Sequence, residues 1–454
     1  MTSGKTPAEG PVIVVVGGGF SGLLTTVHLL RKLPAARVHL VERADAFGEG
    51  AAYSTLNPDH VLNVRLANMS AFPDAPSHLS EWLSRQPRWS SRDGFITRGD
   101  YGRYLKDILA EAVETDGGRL SLVHDDAVAI DRDGDGWTVG LANGEALRAA
   151  HVVLALGNLA PAEPAGLDEA VVRAGRYIAD PWRAAAELPE TARRVLLIGS
   201  GLSMIDVALS LAHPKRRIAA VSRRGLAPRA HRAAAPAVGD LTFTGSPLEV
   251  LGQARALART TDWRTVADSL RHSGRSLWRG WTPKQHRQFM RHLRPFWEVH
   301  RHRLAPSVAN RMHALIASGG LSIEAGRIVR ISLESDRVVV GWRPRGGPRV
   351  TTRKVDAVIN CTGPLADLAS SDAPLIRSLI EGGHGVGDRD GLGFRVDDRA
   401  RLIDGEGTAQ ETLYAVGPLT RGAFWEITSV PDIRIQAAEV AEAIRVGAGV
   451  GRRS

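Results

Sequence analysis

The strongest constraint on the fold is a pattern of strand, glycine-rich turn, helix and strand that occurs twice in the chain. The first copy starts with an apolar, β-branched run at residues 12–16, which is typical of a buried parallel strand. A glycine turn follows at residues 17–22, then a helical stretch at 23–33 and a second strand at 38–42. This order predicts a βαβ unit.

The second copy has a strand at 194–198, a glycine turn at 199–204, a helix at 205–212 and a strand at 218–222. Two such units nearly 180 residues apart indicate an internal repeat of the fold. Three further apolar strands end in a glycine, and in doubly wound sheets ligands approach these strand ends. These glycines are Gly157, Gly363 and Gly417.

Between residues 248 and 317 the strand signals disappear and helical spacing takes over. Four tryptophans share this stretch, and such residues are more often core than part of a substrate site. They are Trp263, Trp278, Trp281 and Trp297. We therefore predict an α/β fold with two Rossmann-like dinucleotide-binding domains and a helical insertion.

Composition excludes several classes of function. Cys361 is the only cysteine among 454 residues, so a disulfide framework and a paired-thiol redox centre are impossible. The net charge is +9, and the basic residues are spread along the chain, with a higher density only between residues 271 and 303. Nucleic-acid binding is therefore not expected. No run of 18 apolar residues predicts a membrane span, and we expect a cytoplasmic protein.

Four histidines in the insertion lack zinc-ligand spacing with partner acids, so no metal site is predicted and solvated helix faces are the simpler interpretation. They are His286, His292, His300 and His302.

The first turn has the spacing of a dinucleotide fingerprint. Gly17 makes a tight turn, Gly19 lets the backbone approach a pyrophosphate, and Gly22 lets helix and strand pack closely. Glu42 ends the next strand 20 residues after Gly22, where a carboxylate accepts hydrogen bonds from a ribose diol. The N-terminal position, the second fingerprint downstream and the late turn at Gly417 together favour FAD in this site.

The second turn departs from the fingerprint because Met204 replaces the third glycine. That glycine serves helix packing, so Gly199, Gly201 and Ser203 can still meet a pyrophosphate. The following strand ends in Ser222 and is followed by Arg223 and Arg224 instead of an acid. Guanidinium groups pair with a 2′-phosphate, so we predict NADPH here and expect Arg223 to be the better placed arginine.

Several segments beyond the fingerprints carry a closer resemblance. They include GEGAAYST at 48–55, VLNV at 61–64, NMS at 68–70, GPLTRG at 417–422, FWEIT at 424–428, and the segments 201–206, 222–225, 300–303, 360–364 and 431–434. With these segments the chain resembles two-dinucleotide-binding-domain flavoproteins, and among them a bacterial FAD-NAD(P)-binding family close to the class B flavin monooxygenases. The resemblance implies that residues 48–70 lie along the flavin and that residues 417–428 close over it.

The predicted FAD contacts add further positions to the fingerprint glycines and Glu42. They are Phe20, Ser21, Arg43, Tyr53, Asn63, Met69, Ser70, Val128, Gly157, Gly417 and Thr428. Two residues are candidates for catalysis. Asn63 could donate to the polar edge of the flavin or cap its own loop. Glu426 could handle a proton or form a surface ion pair, and the ion pair is favoured.

We therefore divide the chain into five segments. Residues 1–180 and 366–454 are assigned to FAD binding, 181–247 and 318–365 to NAD(P) binding, and 248–317 to an insertion that caps the substrate site.

The favoured function is an NADPH-dependent FAD monooxygenase that uses molecular oxygen on a small nucleophilic substrate, and the resemblance favours amine N-hydroxylation. One alternative is an FAD-dependent NAD(P)H oxidoreductase or dehydrogenase without oxygen insertion. Another is a dinucleotide-binding redox sensor or nucleic-acid partner.

Overall fold

The computed structural model describes residues 10–87, 89, 94–232 and 241–448. Strands β1 to β16 are Val12–Val16, Arg37–Glu42, Leu120–His124, Ala127–Asp133, Gly136–Leu141, Ala146–Ala149, His151–Leu154, Tyr177–Ile178, Arg194–Ile198, Arg217–Ser222, Leu321–Glu334, Arg337–Pro344, Thr351–Val355, Ala357–Asn360, Arg401–Ile403 and Ala409–Ala415. Helices α1 to α14 are Phe20–Lys32, Gly50–Tyr53, His78–Ser84, Arg98–Thr115, Glu169–Arg173, Ala184–Glu187, Leu202–Ser210, Pro247–Leu257, Trp263–Gly280, Pro283–Gln288, Arg294–Arg301, Pro306–Ala317, Pro374–Glu381 and Val430–Gly447.

The first sheet has six strands in the order β15-β16-β7-β1-β2-β3. All neighbours are parallel except β15 and β16. Ile13, Val14 and Val15 of β1 are fully buried, as expected of a parallel strand covered on both faces. Strand β16 enters this sheet from the far end of the sequence, so the first nucleotide fold is discontinuous in the chain.

The second sheet has seven strands in the order β13-β12-β11-β10-β9-β14-β8. Neighbours are parallel among β8, β14, β9, β10 and β11, and β12 and β13 continue the sheet as an antiparallel edge. A third, antiparallel sheet contains β4, β5 and β6. The predicted fold class is therefore confirmed. The division into five segments stays a prediction, and the edge strand Tyr177–Ile178 belongs to the second sheet although it precedes residue 181.

Helices α8 to α12 form the insertion, and local sequence signals explain their starts. Ser246 and Glu249 form a capping box at the start of α8, and Thr282 and Gln285 form another at the start of α10. Proline occupies the first turn of both helices, where its missing N–H costs nothing. No helix in the described ranges is long and apolar enough to cross a bilayer.

The two nucleotide folds are joined by a buried polar contact. Arg98 of α4 lies 3.1 Å from the carboxylate of Asp206 of α7, and both side chains are almost fully buried. Beside this pair, His60 Nε2 lies 2.8 Å from Ser210 Oγ, whose hydroxyl donates to the carbonyl of Asp206. Burial lowers the pKa of His60, so the neutral ring is favoured there. These contacts fix α7 against the first nucleotide fold.

Candidate functional site

The first glycine turn has the backbone geometry that its spacing predicts. Gly17 has φ of +103°, and its N–H donates to the carbonyl of Val41 at 2.8 Å. A β-carbon on Gly17 would lie 2.4 Å from the carbonyl oxygen of Ala155, and one on Gly22 would lie 1.8 Å from the carbonyl oxygen of Gly17. The first and third positions therefore require glycine for the turn and for helix packing.

The start of α1 offers free backbone donors to an anion. Its N-cap is Gly19, which provides no side-chain cap, and the first turn has no acidic residue. Helices α4 and α8 differ, because Thr97 and Ser246 cap them by accepting backbone N–H bonds. An uncapped N-terminus carries partial positive charge and unsatisfied N–H groups, which suit a pyrophosphate.

Glu42 lies at the end of β2, directly beside the glycine turn. Its two carboxylate oxygens accept from the N–H of Gly18 at 2.7 Å and from the N–H of Ala44 at 2.9 Å. A carboxylate has about four acceptor positions, so two remain for hydroxyl donors. The backbone bonds fix the carboxylate, and the remaining acceptors fit a ribose diol.

The second turn has the same backbone hydrogen bond as the first and a similar φ at its first glycine. Gly199 has φ of +117°, and its N–H donates to the carbonyl of Val221 at 2.8 Å. A β-carbon on Gly199 would lie 2.2 Å from the carbonyl oxygen of Cys361, whereas one on Gly201 would meet nothing within 4 Å. Gly201 is the uncapped N-cap of α7 and faces open space, while Met204 is fully buried in the core.

The end of β10 differs from the end of β2 in its chemistry. Ser222 occupies the position of Glu42, and its hydroxyl lies 2.7 Å from that of Ser200 and accepts from the N–H of Gly225 at 3.0 Å. Ser200 in turn donates to the carbonyl of Leu226 at 2.6 Å. These hydroxyls hydrogen-bond to one another, and Ser222 offers a ribose no carboxylate where Glu42 offers one at the end of β2.

The two arginines after β10 differ in their contacts. Arg223 is exposed and forms no ion pair with the described residues. Arg224 donates to the carbonyl of Arg291 at 2.8 Å, and its guanidinium lies 5.3 Å from the ring centre of Phe296. Arg223 is therefore free to meet a ligand, whereas Arg224 contacts the insertion. Ser203, in the first turn of α7, is half-buried.

Residues 48–70 pack against α1 and α4. The ring of Tyr53 lies 6.2 Å from that of Phe20 and 4.9 Å from that of Tyr101, and burial raises the pKa of Tyr53 to about 12. Met69 is buried, and the buried hydroxyl of Ser70 donates to the carbonyl of Ala75 at 2.6 Å. The Ser70 hydroxyl therefore stabilises its own loop.

Asn63 lies where three parts of the chain meet. Its carbonyl lies 2.9 Å from Nε2 of His231, whose pKa is lowered by burial to about 4. The backbone around His231 in turn pairs with Leu304, which lies between α11 and α12. The Asn63 side chain makes no hydrogen bond to the described residues, so this part of the structure shows no loop cap.

Gly417 connects the C-terminal segment to the first site. It has φ of +87°, and its N–H donates to Oε1 of Gln436 at 2.7 Å. A β-carbon here would lie 2.7 Å from the hydroxyl oxygen of Ser21 in the first turn of α1. The segment that begins at Gly417 therefore starts beside the first helix N-terminus. Thr428, near its end, is exposed.

The remaining predicted contacts follow strands β7 and β2 of the first sheet or lie on β4 of the third sheet. Gly157 has φ of +64° just after β7 and faces open space. Arg43 is mostly exposed, 3.9 Å from the carboxylate of Asp126, and Val128 is half-buried on the adjacent β4. Arg43 therefore lies near the start of β4, since Asp126 is two residues before Val128.

Glu426 forms an ion pair, but a buried one. Nε of Arg301 lies 3.1 Å from one carboxylate oxygen, and Nε1 of Trp297 donates to the other at 2.9 Å. The Glu426 side chain is only 11% exposed, so the expectation of a surface pair is wrong about its location. The insertion surrounds this carboxylate because α11 packs directly on residues 417–428.

An aromatic stack also joins the insertion to that segment. The Trp278 indole is stacked on the ring of His286, with centroids 3.8 Å apart, and on Trp425, with centroids 4.6 Å apart. The guanidinium of Arg421 lies 4.2 Å from the ring centre of Trp425. His286 is buried and lies 3.1 Å from Asp390, so the interpretation as a solvated helix face is wrong for this histidine.

Beside the stack, a carboxylate is shared by several cations. Glu298 lies 3.1 Å from Arg294, 3.0 Å from Arg421 and 3.5 Å from His302. Burial raises the pKa of Glu298, but the charges of these neighbours outweigh it and lower the pKa to about 2. Burial lowers the pKa of His302, so once that ring loses its proton the two guanidiniums are the charges that still keep Glu298 ionised.

Sequence reasoning missed Arg421, Glu298 and the Arg98–Asp206 pair. Arg421 and Glu298 are 123 residues apart and Arg98 and Asp206 are 108 apart, so no local spacing marks these two pairs. Glu298 also has Arg294 and His302 four residues before and after it, a helical spacing that was a local signal for this carboxylate. The histidines and tryptophans close together in the insertion sequence were the available signal. They indicate an aromatic contact in this region but not which rings stack.

Comparison with solved structures shows a shared fold. L-lysine 6-monooxygenase from Pseudomonas syringae superposes with a TM-score of 0.65 at 17% identity, over 96% of this chain and 99% of that chain. Ornithine N-hydroxylase from Kutzneria sp. 744 gives 0.64 at 16%, over 96% and 99%. Thioredoxin reductase from T. acidophilum gives 0.55 at 11%, over 96% and 98%. At these identities the likeness concerns the fold.

A family comparison adds the cofactor class. Residues 14–159 match the family model described as FAD-NAD(P)-binding. The matched range contains the first glycine turn, Glu42 and residues 48–70, which agrees with the resemblance and the cofactors inferred from sequence. Residues 14–159 are therefore similar to this family in the part of the chain that holds the first glycine turn.

Proposed function

We propose that the protein is an NADPH-dependent FAD monooxygenase that oxygenates a small nucleophilic substrate, with N-hydroxylation of an amine as its specific reaction. One observation carries this proposal. The two glycine turns have similar backbone geometry, but the strands that follow them end in different chemical groups. One strand ends in the carboxylate of Glu42, and the other ends in Ser222 followed by Arg223.

The two ends suit two different dinucleotides. A carboxylate accepts from both hydroxyls of an unmodified ribose, which fits the adenosine part of FAD at Glu42. It would repel a phosphate, and at the second site that carboxylate is replaced by a hydroxyl and an exposed guanidinium. We therefore assign FAD to the first turn and NADPH to the second, with the N-termini of α1 and α7 receiving the two pyrophosphates.

When bound, FAD supplies the redox chemistry with NADPH and molecular oxygen. The protein's part is to position and enclose it. Residues 417–428 start at the N-terminus of α1, and the insertion covers them through Trp278 and Trp425. Such a cover keeps water from the reacting groups. We assign Asn63, whose amide is free of the described residues, to a polar edge of the flavin.

Glu426 is assigned a positioning role. Both of its oxygens are engaged, by Arg301 and by Trp297, and the pair is shielded from solvent. A carboxylate held in this way is better suited to fixing α11 on residues 417–428 than to passing protons.

The names of the structural relatives support oxygenation of an amine, since two of them are an amino-acid N-hydroxylase and a lysine monooxygenase. The likeness to a thioredoxin reductase does not support a disulfide reductase reaction for this chain. A dithiol centre needs two cysteines, and Cys361 is the only one in the sequence. It is also buried, and burial raises its pKa to about 12.

A turnover screen tests the proposal. The purified protein should release FAD and not FMN on denaturation, and should oxidise NADPH faster when an accepted amine or sulfur compound is present. Oxygen should be consumed, and the product should be one oxygen atom heavier than the substrate. The matched control is Gly19→Val, which blocks the backbone's approach to the pyrophosphate and should abolish flavin retention.

Two results would overturn the proposal. Anaerobic turnover with an alternative acceptor and no heavier product would assign a dehydrogenase. Salt-dependent binding of nucleic acid without NADPH turnover would instead support a sensor.

A further inference from the structure

Arginines from two separate parts of the chain gather at the end of β10. Arg223 and Arg224 follow that strand, and Arg291 and Arg294 come from the insertion. Arg224 brings the two parts together through its 2.8 Å bond to the carbonyl of Arg291. Burial lowers the pKa of Arg294, and among the nearby charges that lower it further are Arg421 and Arg223. Phe296, whose ring centre lies 5.3 Å from the Arg224 guanidinium, is two residues from Arg294, so the first turn of α11 brings Arg294 to the same strand end.

This group of cations is poorly neutralised. Arg294 has one carboxylate neighbour, Glu298, which it shares with Arg421. Arg223 and Arg291 have no ion pair within the described ranges. Like charges brought together without counter-ions cost energy, which an anionic ligand removes when it binds between them. Ser200, directly before Gly201, lies 2.7 Å from Ser222 at the end of β10, so the second glycine turn adjoins this strand end and a nucleotide is the anion that the position favours.

We propose that Arg294 of the insertion is a second ligand of the NADPH 2′-phosphate, opposite Arg223, and that Arg224 docks the insertion instead of binding the phosphate. This inference rests on the proposed function, because it requires NADPH in the second site. It adds a specificity residue from outside the nucleotide fold.

The described contacts divide the arginines between these roles. Arg294 lies 5.7 Å from the ring centre of Trp425 and donates to Glu298 through Nε, which leaves its terminal nitrogens for a phosphate. Arg224 lies 5.3 Å from the ring centre of Phe296 and uses a terminal nitrogen, Nη2, for the Arg291 carbonyl. Arg223 is exposed and carries neither restraint.

Glu298 also connects Arg294 to residues 417–428, because it lies 3.1 Å from Arg294 and 3.0 Å from Arg421. This shared carboxylate holds the Arg294 guanidinium at Nε and leaves its terminal nitrogens unoccupied by the described residues.

Calorimetry with two small probes tests the role of Arg294. Adenosine 2′,5′-bisphosphate and 5′-AMP differ only in the 2′-phosphate, and both are titrated into the FAD-loaded protein. Arg294→Gln should weaken the bisphosphate about 10-fold, the lower end expected for a charge-assisted bond, and leave 5′-AMP unchanged. The matched control is Arg287→Gln, an exposed insertion arginine without ion pairs among the described residues, and it should behave like wild type.

The outcomes separate this inference from the proposed function. A wild-type protein that binds both probes equally overturns both. If Arg223→Gln removes the preference for the bisphosphate and Arg294→Gln does not, only the role of Arg294 is refuted. Equal loss of both probes in Arg294→Gln also refutes it.

If Arg294→Gln does not fold, Arg294→Lys decides the question. Lysine keeps a positive charge beside Glu298 but lacks the planar fork, so it should reduce the preference for the bisphosphate several-fold. An unchanged preference in Arg294→Lys would overturn the inference.

Discussion

Replacing Gly201 by alanine should separate nucleotide binding from folding. Gly201 has φ of −83° and ψ of −165°, a conformation open to any residue, and a β-carbon would meet no atom within 4 Å. The protein itself therefore tolerates the methyl group, and we expect a change in the free energy of unfolding within about 0.5 kcal/mol. The methyl group would instead point into the space that we assign to the pyrophosphate.

The size of the effect follows from that geometry. The added carbon projects about 1.5 Å from Cα, enough to carry an oxygen seated at about 2.9 Å from a backbone N–H beyond hydrogen-bond range. Loss of one bond to a charged oxygen costs about 1.5–3 kcal/mol, or roughly 10- to 150-fold in affinity. The Kd for NADP+ should rise by at least the lower factor.

Titration of NADP+ into wild type and Gly201→Ala, together with thermal unfolding of both, measures the two effects. Gly252→Ala is the matched control, because Gly252 lies inside α8 and its β-carbon would also meet nothing within 4 Å. It should leave the Kd for NADP+ unchanged. A Gly201→Ala protein with unaltered unfolding and a Kd within twofold of wild type would refute the assignment of this turn to the pyrophosphate.

Three further predictions concern other parts of the site. Glu42→Gln should lower the ratio of FAD to protein after purification, since a carboxylate binds ribose hydroxyls more strongly than an amide; an unchanged ratio would count against the FAD assignment. Trp278→Ala removes the stack with Trp425 and the 2.7 Å bond to the carbonyl of Gly422. The free energy of unfolding in urea should fall by about 3–5 kcal/mol, and hydrogen exchange in residues 417–428 should become faster. Unchanged exchange would show that the insertion does not hold that segment. Folding lowers the pKa of Glu298 from an ordinary 4.5 to about 2, so its contribution to stability is complete above about pH 4.5 and is lost as the pH falls toward 2. Unfolding measured across that window should depend less on pH in Glu298→Gln, and an identical slope would refute the pairing.

The sequence predicted the nucleotide turns closely because their constraints are local. A glycine is required at position 17 by a positive φ, and at position 22 by contact with a carbonyl only five residues away. The helices begin earlier than apolar spacing predicts, at Phe20 and Leu202 instead of residues 23 and 205, since the turn residues themselves adopt helical geometry after a glycine N-cap. Apolar periodicity does not detect this first turn.

The contacts of the candidate site were not predictable in the same way. Trp278 and Trp425 stack across more than a hundred residues, and only the folded chain determines which tryptophan meets which partner. Glu426 sits in an apolar run that gives no indication of Arg301 as its partner. Buried ion pairs depend on tertiary packing, so residue type and spacing identify the candidates without their partners.

The discontinuous first sheet has a consequence for how the chain is made. All strands of the second sheet lie between residues 177 and 360, so that sheet can assemble while later residues are still being synthesised. The first sheet lacks β15 and β16 until residues 401–415 emerge, and α1 lacks its partner α14, which binds Lys32 through Glu442 at 2.9 Å. Although it starts the sequence, the fingerprint at Gly17 is thus completed late. A ribosome-bound chain that stops before α14 should leave the first nucleotide fold open, and FAD loading would then report that synthesis had passed this point.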